Sequence, residues 1–180
     1  MNPVEELKAL LEAHPTEVWD KQMVLNRNEY LKVKGSIDLQ LYYIESGSVR
    51  VFMDDGHEEH TIRFGYVNSF IAALDCFLTE QPSEYYIQAI KKTQVKVIRK
   101  ATWMEFIGHS GRHGELWQKI LELVVIQQLE REKDLLTQSP AERYKRVLQR
   151  SPELFQEIPM KYIASYLRMT PETLSRIRKS

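Results

Sequence analysis

Leu41-Tyr-Tyr-Ile-Glu-Ser-Gly-Ser-Val-Arg-Val-Phe52 carries two runs of β-branched and aromatic residues on either side of a single glycine, Gly47. Such side chains favour extended backbone, and a glycine between two runs supplies a turn. The stretch therefore reads as two short strands joined at Gly47. Working outward, similar runs recur at His60-Thr-Ile-Arg-Phe64, Tyr85-Tyr-Ile-Gln-Ala89 and Val95-Lys-Val-Ile98, with punctuation at Gly35, Asp54-Asp-Gly56 and Gly65. Short strands at regular spacing between Trp19 and Arg99 predict an antiparallel sandwich or roll.

The flanks are helical. Val4, Leu7, Leu10 and Leu11 stand at helical spacing, and the pattern stops at His14-Pro15, where the residue before a proline is pushed out of the α region. After Lys100 the spacing predicts a short helix over Ala101–Ile107 and a long one from about Arg112 to Leu136. At ~1.5 Å per residue the second is on the order of 37 Å long, more than a small domain needs internally. Its apolar residues Leu116, Trp117, Ile120, Leu121, Leu123, Val124, Val125 and Ile126 wrap more than one face. One face can cover the roll while another meets a partner helix, and the 4-3 spacing of Trp117, Leu121 and Val124 assigns those three to a homodimer seam. The alternative is one broad core face.

Three further segments carry start signals: Ser139-Pro-Ala-Glu142 has the form of a capping box, and Ser151-Pro152 and Thr170-Pro171 repeat the Ser/Thr-Pro opening. The expected organisation is a sensor domain over 1–111, a dimerisation helix over 112–137 and a third unit over 138–180.

The sequence has 180 residues, 43% hydrophobic and 28% charged, with zero formal net charge. The charge is divided unevenly. From Ser139 to Ser180 nine basic residues face four acidic ones, so a +5 end sits on a −5 body. That asymmetry suits a DNA-binding head, and a solvated helical surface would give the same count. A lone cysteine, Cys76, excludes an intrachain disulfide and a thiolate zinc site within one chain, and reads as a buried structural residue. With no apolar run of membrane-spanning length and no basic flank at its start, the sequence points to a cytoplasmic protein without membrane contact.

Ile158-Pro-Met-Lys-Tyr-Ile-Ala-Ser-Tyr-Leu-Arg-Met-Thr-Pro-Glu-Thr-Leu-Ser-Arg-Ile-Arg-Lys179 reads as two helices joined by a short turn. Ile163, Leu167, Met169, Leu174 and Ile177 are spaced to fill the angle between them, and Ala164 permits a close crossing. An ordinary αα-hairpin would have the same hydrophobic positions. The segment resembles the helix-turn-helix of the Crp/Fnr family of transcription regulators, whose recognition helix carries Arg-Glu-Thr-x-x-Arg; the matching run here is Pro171-Glu-Thr-Leu-Ser-Arg176. The resemblance implies that Glu172 and Arg176 read bases, Glu accepting from a cytosine amino group and Arg forking onto guanine. It places Lys161, Thr170, Thr173 and Lys179 at phosphates. With Pro171 in place of the first arginine, one base contact is missing.

The resemblance continues upstream. Tyr30-Leu-Lys-Val-Lys-Gly35 and Leu41 to Val51 resemble the opening strands of the family's cyclic-nucleotide-binding β-roll, and Ser69 to Leu78 falls on its phosphate-binding cassette. The Phe77-Leu-Thr-x-x-Pro-Ser83 run is similar to that of short Crp-like regulators of Bacteroidetes. The implied fold is α+β: a double-stranded β-helix or jelly roll of the cyclic-nucleotide-binding type, a long dimerisation helix, and a C-terminal helix-turn-helix lacking a wing, since one residue follows Lys179. Double-stranded DNA, a second copy of the chain and an unidentified small-molecule effector are the implied partners.

The ligand positions depart from the family. A cyclic-nucleotide pocket uses a Gly-Glu pair and an Arg-Ser pair, and these fall on Ala72-Ala73 and Ser83-Glu84. Both charged ligand contacts are missing. Glu84 is expected to face the phosphate, where like charges ~4 Å apart repel by roughly 4 kcal/mol at an effective dielectric of ~20. The pocket therefore reads as degenerate, with no cyclic-AMP binding. At the turn between the last two helices Arg168 replaces a usual glycine, which costs on the order of 1 to 2 kcal/mol if that residue is left-handed.

Two other functional classes compete. A dimeric β-roll sensor or interaction protein that no longer reads DNA has the same pattern. A metal-dependent β-roll enzyme would draw on Asp54-Asp-Gly-His-Glu-Glu-His60, but His57 and His60 are three apart and leave a strand on opposite faces. His109-Ser-Gly-Arg-His113 reads as a polar linker. No nucleophile motif, phosphate loop or dinucleotide fingerprint is present, so no enzyme, cofactor or metal is expected.

Overall fold

The computed structural model describes residues 2–179. In chain order the elements are α1 (Pro3–Glu12), β1 (Lys21–Leu25), β2 (Tyr30–Lys32), β3 (Gln40–Ser46), β4 (Ser48–Asp54), β5 (Glu59–Tyr66), β6 (Phe70–Ile71), α2 (Leu74–Thr79), β7 (Tyr86–Ala89), β8 (Thr93–Arg99), α3 (Lys100–Gly108), α4 (Gly111–Leu136), α5 (Pro140–Arg150), α6 (Leu154–Glu157), α7 (Met160–Tyr166) and α8 (Pro171–Lys179). The strands form two four-stranded antiparallel sheets, ordered β1-β8-β3-β6 and β2-β7-β4-β5. β3 and β4 are adjacent in sequence but lie in different sheets, so the turn at Gly47 is a corner between sheets.

Two apolar layers explain why β3 lacks the alternation of a half-exposed strand. Tyr42 and Ile44 point into the space between the sheets, with Val49, Val51, Ile87, Val95 and Val97. Leu41 points outward beneath the helices, in a second cluster with Leu7, Leu11, Phe77, Trp103, Phe106, Leu116 and Ile120. α1 begins with a capping box: Asn2 accepts from Val4 N, and Asn2 N donates to the Glu5 carboxylate. A third cluster gathers Val147, Leu154, Ile158, Ile163, Leu167 and Leu174, with Ile90 of the roll packed into it.

Two polar stretches have structural explanations. His113 is buried in the first turn of α4, its Nδ1 2.9 Å from Phe106 O and its ring stacked on Phe106; it is a packing residue and not part of a polar linker. His60 Nε2 lies 2.6 Å from Asp55 Oδ2, and its Nδ1 lies 2.5 Å from Arg168 Nη1. That histidine ties the β4–β5 loop to the turn before α8. Among the described residues no group of three His, Cys, Asp or Glu is placed to hold a metal ion.

Candidate nucleic-acid interface and ligand cavity

α7 and α8 are held at their crossing by Ile163, Leu167 and Leu174, all fully buried, with Ala164 at the close approach. The turn between them is closed by Met169 N donating to Ala164 O at 3.0 Å. Arg168 adopts φ +53°, the left-handed conformation anticipated for that turn. Its guanidinium reaches His60, so the side chain that a glycine would lack ties this turn to the roll. Thr170 caps α8, its Oγ1 accepting from Thr173 N at 3.2 Å and lying 3.2 Å from Thr173 Oγ1.

Beyond that cap, Glu172, Ser175, Arg176 and Lys179 are exposed. Their i, i+3, i+4, i+7 spacing puts them on one helical face. The Glu172 backbone N–H and the Thr170 hydroxyl hold the Glu172 carboxyl below the usual range. Lys161 is exposed on α7 with its ammonium 4.5 Å from the Tyr162 ring centroid. Arg178 turns back, donating to Met160 S.

This pair is seated on β5 of the roll. Ser165 Oγ donates to Glu59 O at 3.0 Å and accepts from Thr61 N at 3.1 Å. Arg50, which no sequence motif marks, lies buried between the Phe52 and Tyr162 rings, donates to Gln88 Oε1 and pairs with Glu59 at 2.6 Å.

The expected ligand positions separate into two places. Ala72 and Ala73 line a cavity of about 310 Å³ between β5, α2 and α4, together with Val51, Leu74, Leu78 and Tyr85. Ser83 and Glu84 do not line it. Ser83 is buried, its Oγ accepting from Tyr85 N and its carbonyl accepting from Gly35 N and Lys32 Nζ. Glu84 is exposed and pairs with Lys34 at 2.8 Å, which corrects the expectation that it faces a phosphate. The carboxylate that does line the cavity is Asp75, with Oδ1 buried and unpartnered. Lys32 is buried beside it on the carbonyls of Val33, Ser83 and Tyr85, and burial pushes its ammonium down from the usual range.

On α4 the face toward the body carries His113, Leu116 and Ile120. Trp117 belongs to that side: its ring meets Trp103 edge-on at 5.1 Å, so this member of the expected dimer seam is a contact within the chain. Leu121 and Val124 are half-buried on the flanks. The exposed apolar side chains lie on the opposite side, at Val125, Ile126, Leu129 and Leu136, each more than half exposed.

Two sheets close over a cavity, with a short helix at its mouth and a long helix across it. Residues 22–110 match the model of the cyclic nucleotide-binding domain. The whole chain has the fold of Crp/Fnr-type regulators. It superposes on a CooA mutant from Carboxydothermus hydrogenoformans with TM-score 0.77 at 15% identity, over 96% of this chain and 82% of that one. For FixK2 from Bradyrhizobium japonicum the values are 0.70, 17%, 88% and 82%. For the catabolite activator protein of Thermus thermophilus they are 0.57, 18%, 98% and 85%. At these identities the likeness is one of fold. No curated protein sequence matches the chain. No helix among the described residues is long and apolar enough to cross a membrane.

Proposed function

We propose that the protein is a homodimeric, non-enzymatic transcription regulator of the Crp/Fnr type, of the short Bacteroidetes-like form, which reads DNA through α8 and does not take a cyclic nucleotide as effector. The observation that carries this reading is the exposed face of Glu172, Ser175, Arg176 and Lys179 on a capped helix braced by α7. In such an arrangement the first turns of α8 enter the major groove, and Lys161, Thr170, Thr173 and Lys179 lie along the phosphates. Two copies paired through α4 would present two such helices to half-sites about one helical turn, ~34 Å, apart.

Selection from a random duplex library at two salt concentrations tests the reading. A two-fold symmetric site is expected to emerge. On that site Arg176→Ala is expected to weaken binding by about 1–3 kcal/mol, roughly 5- to 150-fold, and to relax preference at the base it contacts. Absence of enrichment at low salt defeats the proposal in favour of a sensor that no longer reads DNA.

For the effector, titration calorimetry with cyclic AMP and cyclic GMP is expected to show no saturable heat up to millimolar ligand. Ala72 and Ala73 stand where the family has its ribose-binding pair, and Arg63, the cation in this lining, shares it with the unpartnered carboxylate of Asp75, which would oppose a phosphate. Micromolar affinity for either nucleotide would overturn this.

A further inference from the structure

A second cavity, of about 190 Å³, lies where the roll, the long helix and the C-terminal helices meet. Three guanidinium groups line it: Arg63 from β5, Arg131 from α4 and Arg150 from α5. No carboxylate does. Asp134, just outside, is taken up by Arg146 at 3.0 Å and Arg150 at 2.6 Å, and Glu157 by Lys91 at 2.9 Å.

Arg63 and Arg131 form no ion pair among the described residues, and the carboxylate that acts on Arg131 across space, Asp134, already holds Arg146 and Arg150. Arg131 is 7% exposed, stacks its guanidinium on the Tyr166 ring at 3.8 Å, and buries Nε and Nη1 with no hydrogen-bond partner. Arg63 is half-buried and makes no side-chain hydrogen bond or ion pair with any described residue. Burial pushes both guanidinium groups down from the usual range, yet an arginine side chain stays protonated at neutral pH. A buried guanidinium short of hydrogen-bond partners beside a half-buried one with no ion pair is a costly arrangement unless an anion joins them.

We propose that this cavity binds a small phosphate monoester. A dianion neutralises the two unpaired guanidinium groups, and their forked N–H groups match phosphate oxygens two at a time. At ~30 Å³ of liquid volume per water the space holds roughly six waters, enough for a phosphate on a body of a few carbons. Gln127, Gln128 and Tyr66 line the remainder and supply amide and hydroxyl groups for that body. Because the cavity wall joins β5, α4 and, through Tyr166, α7, an occupant fixes the α7–α8 pair against the roll. This site is separate from the cavity lined by Ala72 and Ala73, although Arg63 and Gln128 touch both.

The test uses the full chain without DNA, so its failure leaves the DNA-reading proposal standing. Thermal unfolding is followed with inorganic phosphate, glycerol 3-phosphate, succinate and sodium chloride at matched ionic strength. Phosphate and glycerol 3-phosphate are expected to raise the midpoint saturably, by about 5–11 °C at a hundred-fold excess over Kd. Chloride is expected to give no saturable rise. Arg63→Gln and Arg131→Met are each expected to abolish the phosphate response; Arg63→Gln removes no side-chain hydrogen bond or ion pair within the chain and is expected to keep the native circular dichroism. An equal rise with chloride, or an undiminished response in folded Arg63→Gln, overturns the site. A succinate response as large as that of glycerol 3-phosphate overturns the assignment to phosphate. With a selected duplex in hand, glycerol 3-phosphate is expected to change DNA affinity at least tenfold in the wild type and not in Arg63→Gln; no change overturns the coupling to α7–α8.

Discussion

Introducing Ile126→Glu and Leu129→Glu together is expected to leave the fold intact, convert a dimer to a monomer and lower affinity for a two-fold symmetric duplex by about a hundred-fold or more. The fold survives because both side chains are more than half exposed on the outer side of α4, while the body is held by His113, Leu116 and Ile120 on the inner side. In the proposed dimer the same positions lie in the seam, where four carboxylates brought together on an apolar stripe are both desolvated and mutually repelled. Loss of the second reading head removes the intramolecular half of the binding, worth roughly 10²- to 10⁴-fold in linked systems. Sedimentation equilibrium and a mobility-shift titration check it. A double variant that keeps a dimeric mass places the seam elsewhere, and Leu121 with Val124 on the flank is then the next surface to change.

Gly47→Ala is expected to cost about 3 kcal/mol and to lower the thermal midpoint by roughly 6–12 °C. Gly47 sits at φ +89°, where an L side chain is strained, and an added Cβ would stand 2.4 Å from Thr93 Oγ1 and 2.5 Å from Lys92 O. Neither neighbour can give way freely. Lys92 O is backbone, and Thr93 Oγ1 accepts from Ser48 N and lies 2.8 Å from Lys91 O. Gly56→Ala is the control: its φ is also +89°, but nothing lies within 4 Å of the added carbon, so only the conformational cost of about 1–2 kcal/mol remains. Equal losses in the two variants would show that the corner at Gly47 tolerates the contact.

Much of the fold was legible because its signals are local. The runs around Gly47, the span of α4 and the Thr170 cap each follow from side chains within a turn or a strand of one another. β1 was missed because only Leu25 of Lys21–Leu25 is buried, so no alternation marks the strand. β6 is two residues long and its pairing with Tyr42 and Tyr43 alone defines it. The Asn2–Glu5 capping box at the start of α1 is a local signal too, written in residues three apart.

The candidate sites divide the same way. Periodicity alone puts Glu172, Ser175, Arg176 and Lys179 on one face of a helix, because the pitch of an α-helix is fixed by its backbone. It also gives α4 two apolar sides. Which side meets the roll depends on what the roll presents, and Trp103 decided it by claiming Trp117. Glu84 is drawn to Lys34, fifty residues earlier in the chain, and leaves the cavity to Asp75. Arg63, Arg131 and Arg150 are unremarkable charges in three separate segments until the fold closes β5, α4 and α5 around one space. The sequence by itself determined the strands, the long helix and the exposed face of α8, since these rest on neighbours in the chain. Only the tertiary structure decided which charges are paired, which apolar face is left uncovered and which arginines converge, because those outcomes depend on contacts between residues far apart in sequence.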